Sequence, residues 1–281
     1  MLNPIYQLHI DGQNIHIYNK YNLDDSLFIL RNSNNPIKMR ELILSINKNM
    51  EDHPIINRLY QKGVIIDHNH AQLIKRMCHI IDELEKNPIS KFHLSTILVE
   101  KLLASSFFLI NLTKKSNAFL EMLANLPKRT NGAFQHYIVL YQNKEELRNL
   151  QQLSLSRNQT IFLCKYKGEK LEELGPVYQI NHSFCLDCIA DNMEKYRFIC
   201  QTTISKHQEE ILQSEYLYSL IDCYLHNKTW LSSIHERKII FNEELCNYTT
   251  PIHPISPSCI CLKGNESNDF KRGNVYAPIR I

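Results

Sequence analysis

Two close pairs of cysteines are the residues of this chain whose type and spacing best predict chemistry. Cys185 and Cys188 form a C-x-x-C pair, Cys259 and Cys261 form a C-x-C pair, and seventy residues separate the two pairs. Two cysteines so spaced can place both thiolates on one ion, at bond lengths of about 2.3 Å. A second pair completes the tetrahedron that Zn²⁺ prefers. We therefore predict a structural zinc site, closed to water because four protein sulfurs occupy every position.

Other interpretations of these cysteines stay open at this point. A C-x-x-C pair is also typical of redox sites, and nine cysteines allow unrelated buried thiols to fall close together. The C-x-C spacing of the second pair requires a tight turn around the metal, which leaves the fourth ligand undecided. If Cys261 points away, His253 is the first substitute, and Cys246 and His182 are further candidates.

The composition places the chain among ordinary globular proteins. Its 281 residues are 43% hydrophobic and 22% charged, which is enough for two domains with cores of their own. The net charge of +3 is spread along the chain, so it does not favour nucleic acid as a partner. The N-terminus lacks the basic and apolar regions of a secretion signal, which predicts a cytoplasmic protein with reduced thiols. The apolar stretch from Leu98 to Leu112 contains Glu100 and Lys101, which indicates core rather than membrane.

The first 85 residues predict a small domain of winged-helix type. Apolar and polar residues alternate on both sides of a turn at Asp11 and Gly12, which predicts a hairpin over residues 5–18. Leu27–Leu30 is a third apolar run, after the two strands of the hairpin. Helices are predicted after Asn34-Asn35-Pro36 and at Pro54–Tyr60, the second ending near Gly63 before an apolar strand at Val64–Ile66.

Residues 86–281 predict a second, α/β domain. The pattern of His70–Lys86 predicts a connecting amphipathic helix, and that of Phe92–Leu112 predicts a helix followed by a strand. A β-branched run at Tyr137–Tyr141, a helix at Lys144–Leu155 and a strand at Thr160–Tyr166 predict a β-α-β crossover. Farther on, residues 204–226 predict a helix and residues 237–241 a returning strand.

The glycines of the chain argue against nucleotide binding. Phosphate loops need glycines where a strand turns into a helix, so that backbone N–H groups can approach the phosphate. The chain has seven glycines, with neither a G-x-G spacing nor a P-loop motif among them. We expect that this chain does not bind ATP by itself.

The N-terminal pattern resembles the PqqD-like domain with which peptide-modifying enzymes hold a leader peptide. The residues that carry this resemblance run from Phe28-Ile29-Leu30 to Leu59-Tyr60 and on to Ile65. The resemblance implies that an extended peptide pairs with an exposed strand edge and sends apolar side chains into a groove against the last helix. The implied groove residues are Phe28, Ile29, Ile56, Leu59 and Tyr60. The alternative is that each of them only fills the core of a small domain.

From Tyr137 onward the order of parts resembles ubiquitin-activating and related adenylating folds. A strand leads through Gly175-Pro176 to the C-x-x-C pair, a helical stretch follows, and the second cysteine pair returns. A leader-binding module joined to a glycine-poor version of this fold is similar to the McbB/SagC-like partner subunits of azoline-forming peptide cyclodehydratases. The resemblance implies a subunit without catalytic residues of its own. Its implied partners are the leader of a bacteriocin- or microcin-type precursor, a YcaO-type ATP-dependent cyclodehydratase, a flavin-dependent dehydrogenase, and a second copy within a homodimer or larger complex.

Two other functions compete with this interpretation. One is an active ATP-dependent adenylating enzyme of the same fold, and the other is a zinc-containing winged-helix transcription regulator. The helix at Pro54–Tyr60 carries few cations, which is a poor match to a recognition helix. No set of His, Ser and carboxylate residues has a spacing that predicts a catalytic centre. The remaining cysteines, Cys78, Cys164, Cys200 and Cys223, are predicted to be small buried hydrophobes, and Trp230 either fills the core or anchors an interface.

Overall fold

The computed structural model describes the greater part of the chain. The described residues are 1–11, 14–31, 54–113, 115–127, 133–148, 159–168, 170–179, 201–203, 208–225, 232, 234, 238–242 and 247–249. The predicted helix after Asn34-Asn35-Pro36 lies outside these residues.

The chain begins with a three-stranded antiparallel sheet. Its strands are β1 (Tyr6–Asp11), β2 (Asn14–Asn19) and β3 (Asn22–Arg31), with β2 in the centre. Asp11 pairs with Asn14 across the two-residue connection, which confirms the predicted hairpin. The third apolar run lies within β3, which pairs with β2 from Asn14 opposite Arg31 onward.

Helix α1 (Pro54–Gln61) packs on this sheet, as the sequence predicts. Its first residue is a proline, which suits the first turn of a helix because no intrahelical N–H bond is lost there. Its buried side chains, together with two from β2 and two from the chain after the helix, form one apolar cluster: Ile15, Ile17, Ile56, Leu59, Val64 and Ile65. Gly63 follows α1 with a φ of 70°, a left-handed conformation that glycine adopts at low cost.

The first residues of the chain lie along residues 63–66. Buried Asn3 donates from its side chain to the Gly63 carbonyl (2.9 Å) and from its backbone N–H to the Val64 carbonyl (2.8 Å). Val64–Ile66, predicted as a strand, forms one antiparallel bridge, between Leu2 and Ile65.

Two helices, α2 (His68–Leu84) and α3 (Pro88–Leu103), connect the small sheet to the rest of the chain. Each begins at a side-chain cap, because Asp67 accepts from the N–H of His70 and Asn87 accepts from the N–H groups of Ile89 and Ser90. Both helices confirm predicted segments. The predicted domain boundary at residue 85 falls between them, and it stays a prediction.

The second sheet has seven strands in the order β4-β5-β6-β7-β9-β10-β8. Strands β4, β5 and β6 are parallel and the other pairs are antiparallel. The strands are β4 (Ser105–Asn111), β5 (Phe134–Tyr141), β6 (Gln159–Lys167), β7 (Lys170–Gln179), β8 (Gln201–Thr203), β9 (Ile239–Asn242) and β10 (Asn247–Thr249), with helices α4 (Ala118–Ala124), α5 (Lys144–Arg148) and α6 (Gln208–Leu225) between them. The β5-α5-β6 unit confirms the predicted crossover, and the described residues form an α/β protein with two sheets.

Both faces of the parallel strands are buried, as in other parallel sheets. Leu140, Cys164 and Leu174 belong to one large core that also includes residues of α2, α3, α4 and α6. On the opposite face, Val139 and Leu163 are fully buried. Among the described helices, none combines the length and the apolar character that crossing a bilayer requires.

A buried polar network ties α6 to the starting ends of the parallel strands. His136 Nε2 lies 3.0 Å from the Tyr224 hydroxyl and His136 Nδ1 lies 2.7 Å from the Thr160 hydroxyl. The Tyr224 hydroxyl also lies 2.6 Å from Ser105 Oγ, which donates to the Lys101 carbonyl (2.7 Å). One proton arrangement satisfies every group: His136 is neutral, donates from Nε2 to Tyr224 and accepts from Thr160 at Nδ1. Burial lowers the pKa of His136 to about 3.

The network makes stability depend on pH in a specific direction. In the unfolded chain a histidine titrates near 6.5, whereas folded His136 resists protonation down to about 3. The contribution of neutral, buried His136 to the free energy of unfolding is therefore complete above pH 6.5. It is lost as the pH falls toward 3, at about 1.4 kcal/mol per pH unit. We expect His136→Gln, which keeps hydrogen-bonding groups, to remove this slope. Urea unfolding of both proteins between neutral pH and pH 4 measures the difference; parallel pH profiles would contradict it.

Candidate functional site

The predicted zinc ligands Cys185, Cys188, Cys259 and Cys261 lie outside the described residues, as do the alternative ligands. The alternatives are His182, His253 and Cys246. Within the described part of the chain, no group of three or more metal-ligating side chains comes together. What the fold does define is where the segments that carry these cysteines leave the sheet.

Strands β7 and β10 run in the same direction but end at different levels of the sheet. Both are antiparallel to β9, which lies between them, so they are about 10 Å apart. Ile240 pairs with Glu173 of β7 on one side and with Thr249, the last residue of β10, on the other. β7 continues beyond Glu173 to Gln179, about 20 Å farther along the strand. Cys185 follows Gln179 by six residues and Cys259 follows Thr249 by ten.

The entry into β8 lies level with the end of β10. Gln201, the first residue of β8, pairs with Thr249, the last residue of β10. The segment that carries Cys185 and Cys188 starts after Gln179, which pairs with Thr160 near the start of β6. It ends before Gln201, which lies level with Glu173 near the carboxyl end of β6. These attachment points are at different levels of the sheet, so the described residues do not bring the two cysteine pairs together.

Two of the remaining cysteines are buried as predicted. Cys78 packs between α2 and α3 and Cys164 lies in β6, and burial raises the pKa of both thiols. Cys223 on α6 is partly buried. Cys200 and Trp230 are outside the described residues.

At the carboxyl end of β4, side-chain oxygens accept hydrogen bonds from the backbone N–H groups that a phosphate loop would offer to a nucleotide. The Asn111 side chain accepts from the backbone N–H and the hydroxyl of Thr113 (3.1 and 3.0 Å). The Thr113 hydroxyl in turn accepts from the N–H of Lys115 (3.1 Å). The first turn of α4 is capped by Asn117, which accepts from the N–H of Leu120. These donors are paired within the chain.

The carboxyl end of β5 is closed in the same way. Glu146 accepts from the N–H of Gln142 (2.7 Å) and from the side chain of Asn143 (3.0 Å), while Asn143 accepts from the N–H of Glu146 (3.0 Å). This reciprocal cap places a carboxylate where a nucleotide-binding fold needs to hold phosphate. Like charge and occupied N–H groups both oppose phosphate at this position.

A buried ion cluster follows at the carboxyl end of β6. Lys165 pairs with Glu173 of β7 in the sheet register, and Lys165 Nζ lies 3.2 Å from Glu173 and 2.7 Å from Glu172. Lys238, just before β9, lies 2.8 Å from Glu173, and both of these side chains are only 7% exposed. Partial burial opposes the charge of Lys165, but the two carboxylates outweigh it and raise its pKa. The cluster joins β6, β7 and the return to β9.

The predicted groove residues fall into three groups. Ile56 and Leu59 are buried in the core beneath the small sheet, whereas Tyr60 is 37% exposed beside them on α1. Phe28 and Ile29 lie in β3, opposite Ile17 and His16. Among the described residues, no strand pairs with the outer edge of β3 or of β1. The groove assignment stays a prediction.

Sequence reasoning missed the two buried polar clusters. Lys165 interrupts an otherwise apolar strand, and the pair Glu172-Glu173 interrupts the next one, which is a signal that could have been used. His136 gave no such signal, because the phenol that it contacts is 88 residues away.

No family model matches the chain and no curated protein matches it. Several solved structures are similar in part. A heterocyclase in complex with substrate and cofactor shares 15% identity over 93% of this chain and 39% of its own, with a TM-score of 0.45. The heterocyclase TruD shares 15% identity over 93% of this chain and 42% of its own, with a TM-score of 0.42. The E. coli microcin synthetase McbBCD complex shares 9% identity over 92% of this chain and 98% of that one, with a TM-score of 0.32. The chain spans about two fifths of the first two structures, and likeness of this degree establishes no function.

The ion cluster predicts that its two glutamates contribute very differently to the free energy of unfolding. Glu173→Gln leaves Lys165 and Lys238 facing each other with less compensation, so we expect a loss of about 3 kcal/mol in the free energy of unfolding. Glu172→Gln, at a carboxylate that is 29% exposed, should cost under about 1 kcal/mol. Urea unfolding measured side by side gives both values. Equal costs would show that the cluster does not hold β9 to β7.

Proposed function

We propose that this chain is the leader-binding, zinc-containing subunit of a synthetase that forms heterocycles in a ribosomal precursor peptide of bacteriocin or microcin type. It holds the precursor leader and presents the core peptide to a YcaO-type ATP-dependent cyclodehydratase. That partner activates the backbone amide that a Cys, Ser or Thr side chain has attacked. A flavin-dependent dehydrogenase then oxidises the azoline ring where an azole is formed.

The observation that carries the proposal is a contrast between two edges. The carboxyl edge of the parallel strands, where folds of this class hold ligands, is occupied by the chain's own side chains at Asn111, Asn143 and Glu146. The small N-terminal sheet, in contrast, has strand edges that no described strand covers. A chain so built is suited to bind an extended peptide and poorly suited to bind a nucleotide.

The proposed peptide site is the outer edge of β3 together with α1. An added strand receives backbone hydrogen bonds from the edge, which are independent of sequence, and places alternate side chains toward the helix, which select the sequence. Ile56 and Leu59 are buried in the core of the small sheet, so they hold α1 in a fixed position beside the proposed peptide. Tyr60, partly exposed on α1, supplies an aromatic surface for an apolar leader side chain.

The role of such a subunit is positional. Tethering the leader makes the encounter of the core peptide with a neighbouring active site intramolecular, which raises the effective concentration of substrate without any bond-making by the tether. Residues 1–85 form the leader-binding, winged-helix-like domain in this proposal, and residues 86–281 form the adenylating-type domain that has lost its phosphate loops.

The zinc is proposed to be held by Cys185, Cys188, Cys259 and Cys261. Four thiolates suit Zn²⁺ in a closed tetrahedral site. The support from the fold is that β7 and β10, which precede the two cysteine pairs, run in the same direction on either side of β9. When bound, the metal supplies folding free energy and no chemistry. His253 or Cys246 takes the fourth position if Cys261 does not.

The metal prediction is tested by content and folding together. We expect the purified chain to hold one zinc ion, and Cys185→Ser to lose it and to leave the C-terminal part partly unfolded, because structural zinc contributes on the order of 10 kcal/mol coupled to folding. Cys223→Ser, at a partly buried cysteine of α6, is the matched control and should keep its zinc. Elemental analysis and circular dichroism supply the readouts. A folded Cys185→Ser protein with unchanged zinc would exclude the proposed ligand set.

The function prediction is tested with the leader of a candidate precursor, a short peptide rich in Cys, Ser and Gly that we expect to be encoded beside this chain. We expect the full chain to bind the fluorescein-labelled leader without ATP, and Tyr60→Ala to weaken binding by about tenfold through loss of an aromatic contact. Arg58→Ala, exposed on the side of the same helix away from Tyr60, should bind as the wild type does. Fluorescence anisotropy gives the affinities.

Two results would contradict the proposed function. Equal affinities for the two variants would remove α1 from the site. Micromolar binding of ATP by the isolated chain, measured by calorimetry, would favour an active adenylating enzyme instead.

A further inference from the structure

The outer face of the small N-terminal sheet carries two histidines directly opposite each other. His9 of β1 pairs with His16 of β2 in the register of the sheet. Side chains of directly opposite residues lie on the same face, with Cβ atoms about 4.5–5.5 Å apart. The buried side of β2 is formed by Ile15 and Ile17, which pack with α1. Both imidazoles are therefore on the side of the sheet away from that helix.

Both rings are accessible, and the chain does not use their nitrogens for its own hydrogen bonds. His9 is exposed and His16 is half-buried. In the described part of the chain, neither ring makes a hydrogen bond or an ion pair. The His16 ring stacks on Tyr18, with centroids 5.9 Å apart and planes 13° apart. This stack restricts the orientation of the His16 ring and leaves its two nitrogens available.

Two imidazoles in this arrangement have the chemistry of a chelating site. Neutral imidazole is a ligand that suits Zn²⁺, Cu²⁺ and Ni²⁺, with a Zn–N bond of about 2.0–2.1 Å. The separation of directly opposite Cβ atoms allows one nitrogen from each ring to reach a common ion at that bond length. The two-residue connection of the hairpin fixes the register, so little conformational entropy is lost when the ion binds.

We propose that His9 and His16 bind one divalent transition-metal ion of the Zn²⁺ class on the outer face of the small sheet. Two protein nitrogens hold the ion and water fills its remaining positions, so the site is open and the ion exchanges, unlike an ion enclosed by four thiolates. The bound ion joins β1 to β2 and stabilises the sheet to which β3 belongs. Because it lies away from α1, it does not compete with a peptide beside Tyr60.

Titration of Zn²⁺ into the dialysed, untagged full chain tests the ligands. We expect one binding event that His9→Asn and His16→Asn each weaken about a hundredfold, because loss of either imidazole turns a two-point contact into a single one. His79→Asn is the matched control, since it removes an exposed histidine beside Glu83 on α2, and it should leave the affinity unchanged. Isothermal calorimetry gives the affinities. Binding that survives in both sheet variants, or that is lost in His79→Asn, would overturn the proposal.

Moving the pair along the hairpin tests the geometry. Gln7 and Tyr18 are also directly opposite each other on the outer face, and their exposure matches that of His9 and His16. In the His9→Asn/His16→Asn background, Gln7→His together with Tyr18→His should restore the affinity for Zn²⁺ to within about tenfold of the wild type, whereas Gln7→His alone should not. Equal affinities of the single and the paired replacement would show that two opposed imidazoles are not the site. Neither experiment involves the cysteines or the leader, so the proposal and the proposed function can fail separately.

Discussion

The pairing of β9 with β7 is the contact on which the arrangement of the larger sheet depends. Only Glu173 and Leu174 of β7 pair in register with β9. Beyond them, β9, β10 and β8 have four, three and three residues, too few to form a stable sheet alone. The buried Glu173–Lys238 pair reinforces this short junction. It also costs desolvation, which is recovered only while the geometry holds. The junction therefore specifies one position for the returning strands and tolerates few alternatives.

That position fixes where the last strands of the sheet lie. Ile240 of β9 pairs with Glu173 of β7 and with Thr249 of β10, and Thr249 pairs with Gln201 of β8. The end of β10 and the entry of β8 are therefore level with Glu173, whereas β7 continues to Gln179 beside the start of β6. At the carboxyl ends of β4 and β5, side chains cap the loops and helices that follow. In the described part of the chain, these caps occupy N–H groups that a phosphate loop would present.

Much of the fold could be predicted from local pattern, and the parts that could not share a physical cause. The hairpin at Asp11 and the crossover from β5 to β6 follow from alternation, β-branched runs and turn residues within short windows. The contact of His136 with Tyr224 and the pair of Lys238 with Glu173 join residues 88 and 65 positions apart. No local periodicity encodes which distant polar group will satisfy a buried one. Val64–Ile66 shows a milder form of this, since its apolar pattern predicted a strand, but among the described residues it meets residues 1–3 and forms one bridge, between Leu2 and Ile65.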